Sequence, residues 1–458
     1  MRYNSPTTQL ALLSAIVMLT TVLRRLLSNY LLKEIPTDLN IAYDSYWPTS
    51  LTACLSGFIS LFLVNLIGAR AILFFYSATS VLFFSSIVSG YKTNSLTFYN
   101  AMVIIDAAGY DFGRVATLVL VLAYPSERWK ARALAVFLFT EHLSMTLGDL
   151  LVLRGTGSDT TRFNVSIAAL CMTSLSPFFA LAIAPSHTIV RNNGVYLLAR
   201  ETTLSEELCG TVAIFKNKYM LLLLPYMFSY PFLFGSANVP FPTLLAIMLY
   251  DIGRIFVALM SFMLDVPWAS RRKRGMVSLV MLVVCCAVSV GVTIAMRMKK
   301  TDKSEVDPSW PVKQINDFIF AQAVSNHGPL LYTSYFFAGI ASSFVELYGF
   351  WIIGTLTNDI KASARFVGTY QSIMSIGGMV GYQMVAGIPH TYTTSNIPTF
   401  ISTGLTGVSF VFMYFVVRRI SESNDWTLGS ISGNDEPQAV ESTESITIVA
   451  DVKYQHYE

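Results

Sequence analysis

The sequence predicts an all-α integral membrane protein with about twelve transmembrane helices in two six-helix halves. Hydrophobic residues make up 53% of the 458 residues and charged residues only 13%, about half the charged share of an ordinary soluble domain. The apolar residues recur in runs of about 20, the length that a helix needs to cross a bilayer. The net charge of +3 gives no indication of a nucleic-acid partner, so the partner that we expect is the lipid bilayer.

The apolar runs form two groups of six, separated by a polar stretch at 186–217. The predicted spans lie near 8–32, 48–67, 71–91, 99–124, 131–153 and 163–184, and near 218–237, 240–266, 275–297, 329–357, 364–388 and 396–418. These groups define an N-terminal half, 1–185, and a C-terminal half, 218–420. The remaining segment, 421–458, contains eight acidic residues and one lysine, a composition that predicts a disordered tail.

The distribution of lysine and arginine predicts how the chain is oriented in the membrane. If the N-terminus is cytosolic, the cytosolic segments contain sixteen basic residues and the outside connections contain nine. This bias predicts that both termini and the 186–217 connection are cytosolic. An odd number of spans would invert one half and is the main alternative. The only glycosylation sequon begins at Asn164, at the outer edge of the membrane in this topology.

Ionisable residues within the spans are costly in a bilayer and are therefore candidates for a substrate or proton path. Asp111 and Arg114 lie three residues apart on one helical face, so we expect them to pair, with Asp106 or a residue of span eight as alternative partners. The alternative interpretation is that the intramembrane charges are structural pairs that fix helix packing. The candidates are Asp106, Asp111 and Arg114 in span four, Glu141 and Asp149 in span five, Asp251 and Arg254 in span eight, and Glu346 in span ten.

The connection between spans eight and nine combines an acid with a basic cluster. Asp265 ends span eight, and Arg271, Arg272 and Arg274 begin span nine. Such an arrangement predicts a cytosolic latch between helices, although the arginines could equally serve only as topology determinants. In span eleven, Gly377, Gly378 and Gly381 predict a close contact with another helix.

Motifs of soluble or metal-dependent enzymes are not found in the sequence. There is no phosphate-binding loop, zinc-ligand spacing or serine elbow, and the five cysteines show no metal spacing. His142 lies within a span, where a membrane acyltransferase would need a histidine, but no partner motif accompanies it. The sequence therefore predicts no enzyme, no catalytic residue, no cofactor and no metal site.

Six spans, a long connection and six further spans are the plan of the major facilitator superfamily, whose members pack two halves around a midplane site. Within that superfamily, residues 124–132 (YPSERWKAR) resemble a segment of the fungal UNC93-like branch. The chain departs from that branch at Arg24 and Arg25 in span one and at the charges of span four. Further similar positions are Pro185, Val190, Arg191, Gly194 and Val195, the segments 222–225, 354–359 and 368–372, and Asp265 with 271–274.

The resemblance and the intramembrane charges lead to two hypotheses. The first is a secondary transporter that moves a small molecule, of a kind that the sequence does not specify, by alternating access. The second is a membrane protein that transports nothing and regulates or escorts other membrane proteins.

Overall fold

The computed structural model describes residues 3–22, 39–93, 97–125, 129–155, 159–185, 188–189, 202–237, 244–266, 268–298, 312–357, 359–387 and 397–420. Within these ranges the chain forms fifteen helices and no strand. The first half contains α1 (Pro6–Thr21), α2 (Leu39–Ile67), α3 (Ala69–Thr93), α4 (Thr97–Ala123), α5 (Lys130–Gly155), α6 (Asp159–Thr173) and α7 (Ser176–Leu181). The connection contains α8 (Leu204–Ile214). The second half contains α9 (Lys218–Ala237), α10 (Leu244–Ile255), α11 (Val257–Asp265), α12 (Arg271–Met298), α13 (Val312–Leu356), α14 (Ile360–Gly387) and α15 (Ile397–Val417).

These helices confirm the predicted architecture of two six-helix halves. Helices α6 and α7 together form span six, α10 and α11 together form span eight, and every other helix except α8 forms one span. The end of predicted span one, most of the connection before α8, and the 421–458 tail lie outside the described residues.

Among the described residues, seven segments could cross a membrane by length and composition alone. Helix α1 is shorter, with 16 residues, and α4 contains three charged residues, which is why neither is among the seven. The seven segments are Pro48–Ile67, Ala69–Ser89, Phe163–Leu181, Leu245–Asp265, Arg271–Ala295, Gly328–Leu356 and Phe400–Val417.

Local sequence signals set several helix ends. The Ser5 hydroxyl accepts the Thr8 amide at 3.3 Å and Pro6 occupies the first turn, so α1 begins there. Thr203 and Glu206 form a reciprocal capping box at the start of α8. Gly68 separates α2 from α3 with a φ of 85°, a backbone conformation that favours glycine.

Alternate helix ends meet at one end of the bundle. We call it the Asp265 end because α11 ends there, at Asp265. The Tyr3 hydroxyl donates to the Ala182 carbonyl at 2.5 Å, so α1 begins beside the end of span six. In the second half, Gly275 near the start of α12 lies beside Val417, the last residue of α15. The first and last spans therefore both have their outer termini at the Asp265 end, as an even number of spans requires.

Close helix contacts and apolar outer faces complete the bundle. A Cβ atom at Gly377 or Gly381 would meet a carbonyl oxygen of α9, that of Phe228 or of Phe232, so the predicted close contact of span eleven is confirmed. Large apolar side chains such as Phe178 are exposed on the outside, where lipid would surround them.

Candidate functional site

Two buried glutamates and two partly buried arginines form an ion cluster inside the bundle, which we call the central cluster. It consists of Arg114 on α4, Glu141 on α5, Arg254 on α10 and Glu346 on α13. Arg114 contacts Glu141 at 2.5 Å and also pairs with Glu346 Oε1. Arg254 reaches the other oxygen of Glu346, Oε2, at 3.2 Å. Glu346 thus bridges an arginine of its own half and an arginine of the other half.

The central cluster is almost closed to solvent and is balanced in charge. The two glutamate side chains are each 2% exposed, and those of Arg114 and Arg254 are 9% and 12% exposed. Two positive and two negative groups compensate each other, which is the condition under which buried charges are tolerated.

Aromatic hydroxyls extend the cluster in both halves. The Tyr110 hydroxyl accepts from Arg114 at 2.8 Å and donates to Glu141 at 3.1 Å. The Tyr250 hydroxyl donates to Ser342 at 2.9 Å, and Ser342 is also 2.7 Å from the hydroxyl of Tyr230. These hydrogen bonds fix the side chains around the two arginines.

The two arginines end the same five-residue motif, Tyr-Asp-x-Gly-Arg, at 110–114 and again at 250–254. In each copy the guanidinium carbon lies over the ring of the tyrosine four residues earlier, 5.9 Å from the centroid in the first copy and 5.7 Å in the second. Spacing within one helix predicts the Asp111–Arg114 pair but leaves the shared motif unrecognised. A comparison of the residues around each pair would have found it.

The glycine of each copy permits a close helix contact. A Cβ atom at Gly113 would meet the Tyr76 ring of α3, and one at Gly253 would meet the Phe336 carbonyl oxygen of α13. The second contact draws α10 against α13, the helix that contains Glu346. The close approach at Gly253 thus helps to bring Arg254 within reach of Glu346.

The acids of span four have partners on other helices. Asp111 accepts from Gln371 of α14 at 3.1 Å and from Ser56 of α2 at 3.2 Å, so this carboxylate also joins the two halves. Asp106 accepts from Ser80 of α3 at 3.2 Å. The expectation that Asp111 would be the acid nearest to Arg114 rested on spacing within one helix, whereas Arg114 takes its glutamates from α5 and α13.

The remaining candidates lie on α5, α6 and α10. Asp149 and Asp251 are buried on α5 and α10, and His142 is fully buried on α5. Asn164 is exposed near the start of α6, and Ser166 of its sequon is buried. Among the described residues, no group of three potential ligands is placed to hold a metal ion.

Asp265 bonds to the first turn of α5 in the other half. Its carboxylate accepts the backbone N–H of Ala131 at 3.3 Å and of Arg132 at 2.7 Å. These N–H groups belong to a helix N-terminus, where a negative charge is favourable. Of the basic cluster, Arg274 donates to the Leu264 carbonyl, Arg271 is buried and Arg272 is exposed.

Glu207 on α8 makes a second contact between the halves at the Asp265 end. It accepts from Nε and Nη2 of Arg365, both at 2.9 Å, and from Asn65 at 3.0 Å. Burial acts to raise the pKa of Glu207, but hydrogen bonds from Arg365, Asn65 and Thr202 outweigh it and hold the pKa below its ordinary value. From the sequence, this connection is only a polar segment, and nothing in it singles out Glu207.

No family model matches the chain. The chain is 25% identical over 280 residues to an UNC93-like protein of Schizosaccharomyces pombe, a match that covers 58% of this chain. That match spans about half, 54%, of the length of the yeast protein. UNC93-like protein 1 of Arabidopsis thaliana is 24% identical over 334 residues, covering 67% of this chain and 68% of the relative.

Among solved structures, the fold is similar to that of the Major Facilitator Superfamily transporter FucP in the outward conformation. The TM-score is 0.61 at 11% sequence identity, and the alignment covers 90% of this chain and 99% of FucP. At this identity the likeness concerns the fold alone.

Proposed function

We propose that this chain, a multi-pass membrane protein with the major facilitator fold and similarity to UNC93-like proteins, is a secondary transporter that works by alternating access. The single observation that supports the proposal is the bridge that Glu346 forms between Arg254 of its own half and Arg114 of the other half. Charges at membrane depth are costly and commonly mark substrate or ion pathways. A bridge between two rocking halves would have to break and re-form in every cycle.

The central cluster is also an inefficient way to obtain stability alone. Replacing a buried ion pair by apolar residues of similar volume is often neutral or stabilising. The chain instead contains four buried or partly buried charges on four helices, two of which, Arg114 and Glu346, face each other across the halves. Packing alone does not require these charges. Binding of a substrate that competes for them would explain why they are present.

The packing of the helices supports an assignment of state. On α13 every residue from 341 to 351 is buried, whereas residues 335–338, which lie further along the helix from Gly354, are partly exposed. The Asp265 end is held by Asp265, by Glu207 and by Lys130, which donates to the Gly354 carbonyl at 2.8 Å. We therefore assign this form as closed at the Asp265 end, which is the cytosolic end in the orientation that the basic residues predict.

The test is transport by the full chain reconstituted in lipid vesicles, measured with a panel of labelled metabolites with and without a proton gradient. The informative variant is the double replacement Arg254→Leu with Glu346→Leu, which leaves Arg114 and Glu141 as an ion pair. We expect this variant to fold and to transport nothing that the parent transports. The exposed Lys273→Gln is the matched control and should transport like the parent.

Two results would contradict the proposal. Transport at the parent rate by the folded double variant would leave the central cluster as packing. A parent protein that moves no compound of a broad panel in either direction would favour the alternative, a membrane partner that regulates or escorts other proteins.

A further inference from the structure

The two arginines of the repeated motif approach one carboxylate from opposite halves. Arg114 bonds to Oε1 of Glu346, and Arg254 bonds to Oε2. Each oxygen of Glu346 therefore has its own guanidinium. Two guanidiniums on one carboxylate supply charged, planar donors to both of its oxygens, and such charge-assisted hydrogen bonds are stronger than neutral ones.

Glu346 occupies the position that the carboxylate of a ligand would take. The tyrosine rings beneath the two arginines and Met145, whose sulfur is 3.8 Å from Arg254, provide apolar surface around it. A small ligand could therefore place its carboxylate between the arginines and its carbon atoms against these side chains.

The charges set the valence of such a ligand. Arg114 and Arg254 contribute two positive charges, and Glu141 and Glu346 two negative charges. If Glu346 takes up one proton, the cluster has one positive charge too many, and a single external negative charge restores the balance. Other titratable or charged groups on the helices that pack around Glu346 include Tyr110 and Asp111 on α4, His142 and Asp149 on α5, Tyr226 and Tyr230 on α9, Tyr250 and Asp251 on α10, Cys285 and Cys286 on α12, Tyr348 on α13 and Tyr370 on α14.

We propose that Arg114 and Arg254 bind the carboxylate of a small monocarboxylate, which replaces Glu346 between them when Glu346 is protonated. This inference rests on the proposed transport function and names the substrate class of the same site. The proton enters from the side to which the site is open and remains on Glu346 while the ligand is bound. One proton and one monoanion then move together as a neutral pair.

Binding is measured on the purified full chain, independently of transport, as the shift of the thermal unfolding temperature with ligand. The probes are lactate and benzoate, compared with lactamide and benzamide, which lack the negative charge, and with sodium chloride at equal ionic strength. We expect both acids to raise the unfolding temperature, more strongly at about pH 5.5 than at about pH 7.5, and both amides to leave it unchanged. Because the ligand replaces a protonated Glu346, binding takes up a proton and should strengthen as the pH falls.

Variants separate the roles of the residues. Arg254→Gln should weaken binding of the acids by at least about tenfold, the effect of losing a charged hydrogen-bond donor, and Arg254→Lys should retain part of it. Glu346→Gln should bind the acids as well at about pH 7.5 as at about pH 5.5, since it needs no proton to vacate the arginines. Lys273→Gln should behave like the parent.

The results distinguish the two proposals. Failure of both acids to shift the unfolding temperature, equal shifts by the amides, or binding by Glu346→Gln that remains pH-dependent would each overturn the monocarboxylate assignment. Binding of the acids without flux in vesicles would leave this site in place and contradict the transport function. Flux of an uncharged compound that persists in Arg254→Gln would support transport and contradict this inference.

Discussion

Glu346 has two positively charged partners, and its removal leaves Arg254 without its carboxylate, whereas Arg114 keeps Glu141. Replacing Glu346 by leucine should destabilise the fold by about 3–5 kcal/mol, the usual cost of breaking a buried pair from one side. Adding Arg254→Leu removes the stranded arginine, leaves the Arg114–Glu141 pair in place and should recover most of that loss. Thermal unfolding of the purified variants measures both effects. A double variant no more stable than Glu346→Leu alone would show that Arg254 and Glu346 are not coupled.

At the same scale, the sequence identified all four residues of the central cluster as candidates because charges are rare within apolar spans. It could not identify their partners. Spacing along a helix shows which side chains share a face, but Arg114 bonds to residues 27 and 232 positions away. Glu207 could not be identified because the connection that contains it shows no periodic pattern of apolar residues, the usual sign that a helix packs against others. Its role depends on two helix ends, at Asn65 and Arg365, that only the folded chain brings together.

At the scale of helices, the close packing of α10 against α13 depends on two facing glycines. A Cβ atom at Gly253 would meet the Phe336 carbonyl, and one at Gly339 would meet the Tyr250 carbonyl. Gly253→Ala should therefore push the helices apart and destabilise the protein by about 1–3 kcal/mol, as overpacking does. The matched control is Gly291→Ala on α12, where nothing lies within 4 Å of the added carbon. Thermal unfolding of the two variants should differ, and equal stability would contradict the close contact.

Helix α8 supplies a pH-dependent contact. Because the pKa of Glu207 is lower in the folded chain than its ordinary value of 4.5, its hydrogen bonds to Arg365 and Asn65 stabilise the fold above that ordinary value. The stabilisation is lost as the pH falls through the folded pKa. Unfolding temperatures measured from neutral to acidic pH should thus converge for the parent and Glu207→Gln at the acidic end. A constant difference between them at all pH values would contradict this role.

For the whole molecule, the orientation remains the prediction on which the direction of opening depends. The excess of basic residues predicts that tags at residue 200 and at the C-terminus are protected from external protease in sealed cells. A tag after Asn164 should instead be on the outside. Cleavage of either protected tag would invert the assignment, and the Asp265 end would then face outward.

The closed state of the whole molecule should depend on Asp265. Asp265→Asn removes the negative charge from the first turn of α5, an interaction that contributes up to about 2 kcal/mol in partly buried sites. The Asp265 end should then open more often. Maleimide labelling of Leu122→Cys, which lies against Gly354 of the other half, should become faster in a background without native cysteines. Lys273→Gln should leave the rate unchanged, and an unchanged rate in Asp265→Asn would contradict the latch.

The unequal bonds of Glu207 determine which half α8 follows when the Asp265 end opens. Arg365 holds Glu207 with two charged donors, whereas Asn65 holds it with one neutral donor. The bond from Asn65 is the weaker one and should break first. Helix α8 should therefore move together with the C-terminal half. A fluorophore on the exposed Cys209 would then keep a fixed separation from a second dye on α14 and a variable one from a dye on α2. The distance between the dyes on α8 and α2 would then report each opening of the Asp265 end.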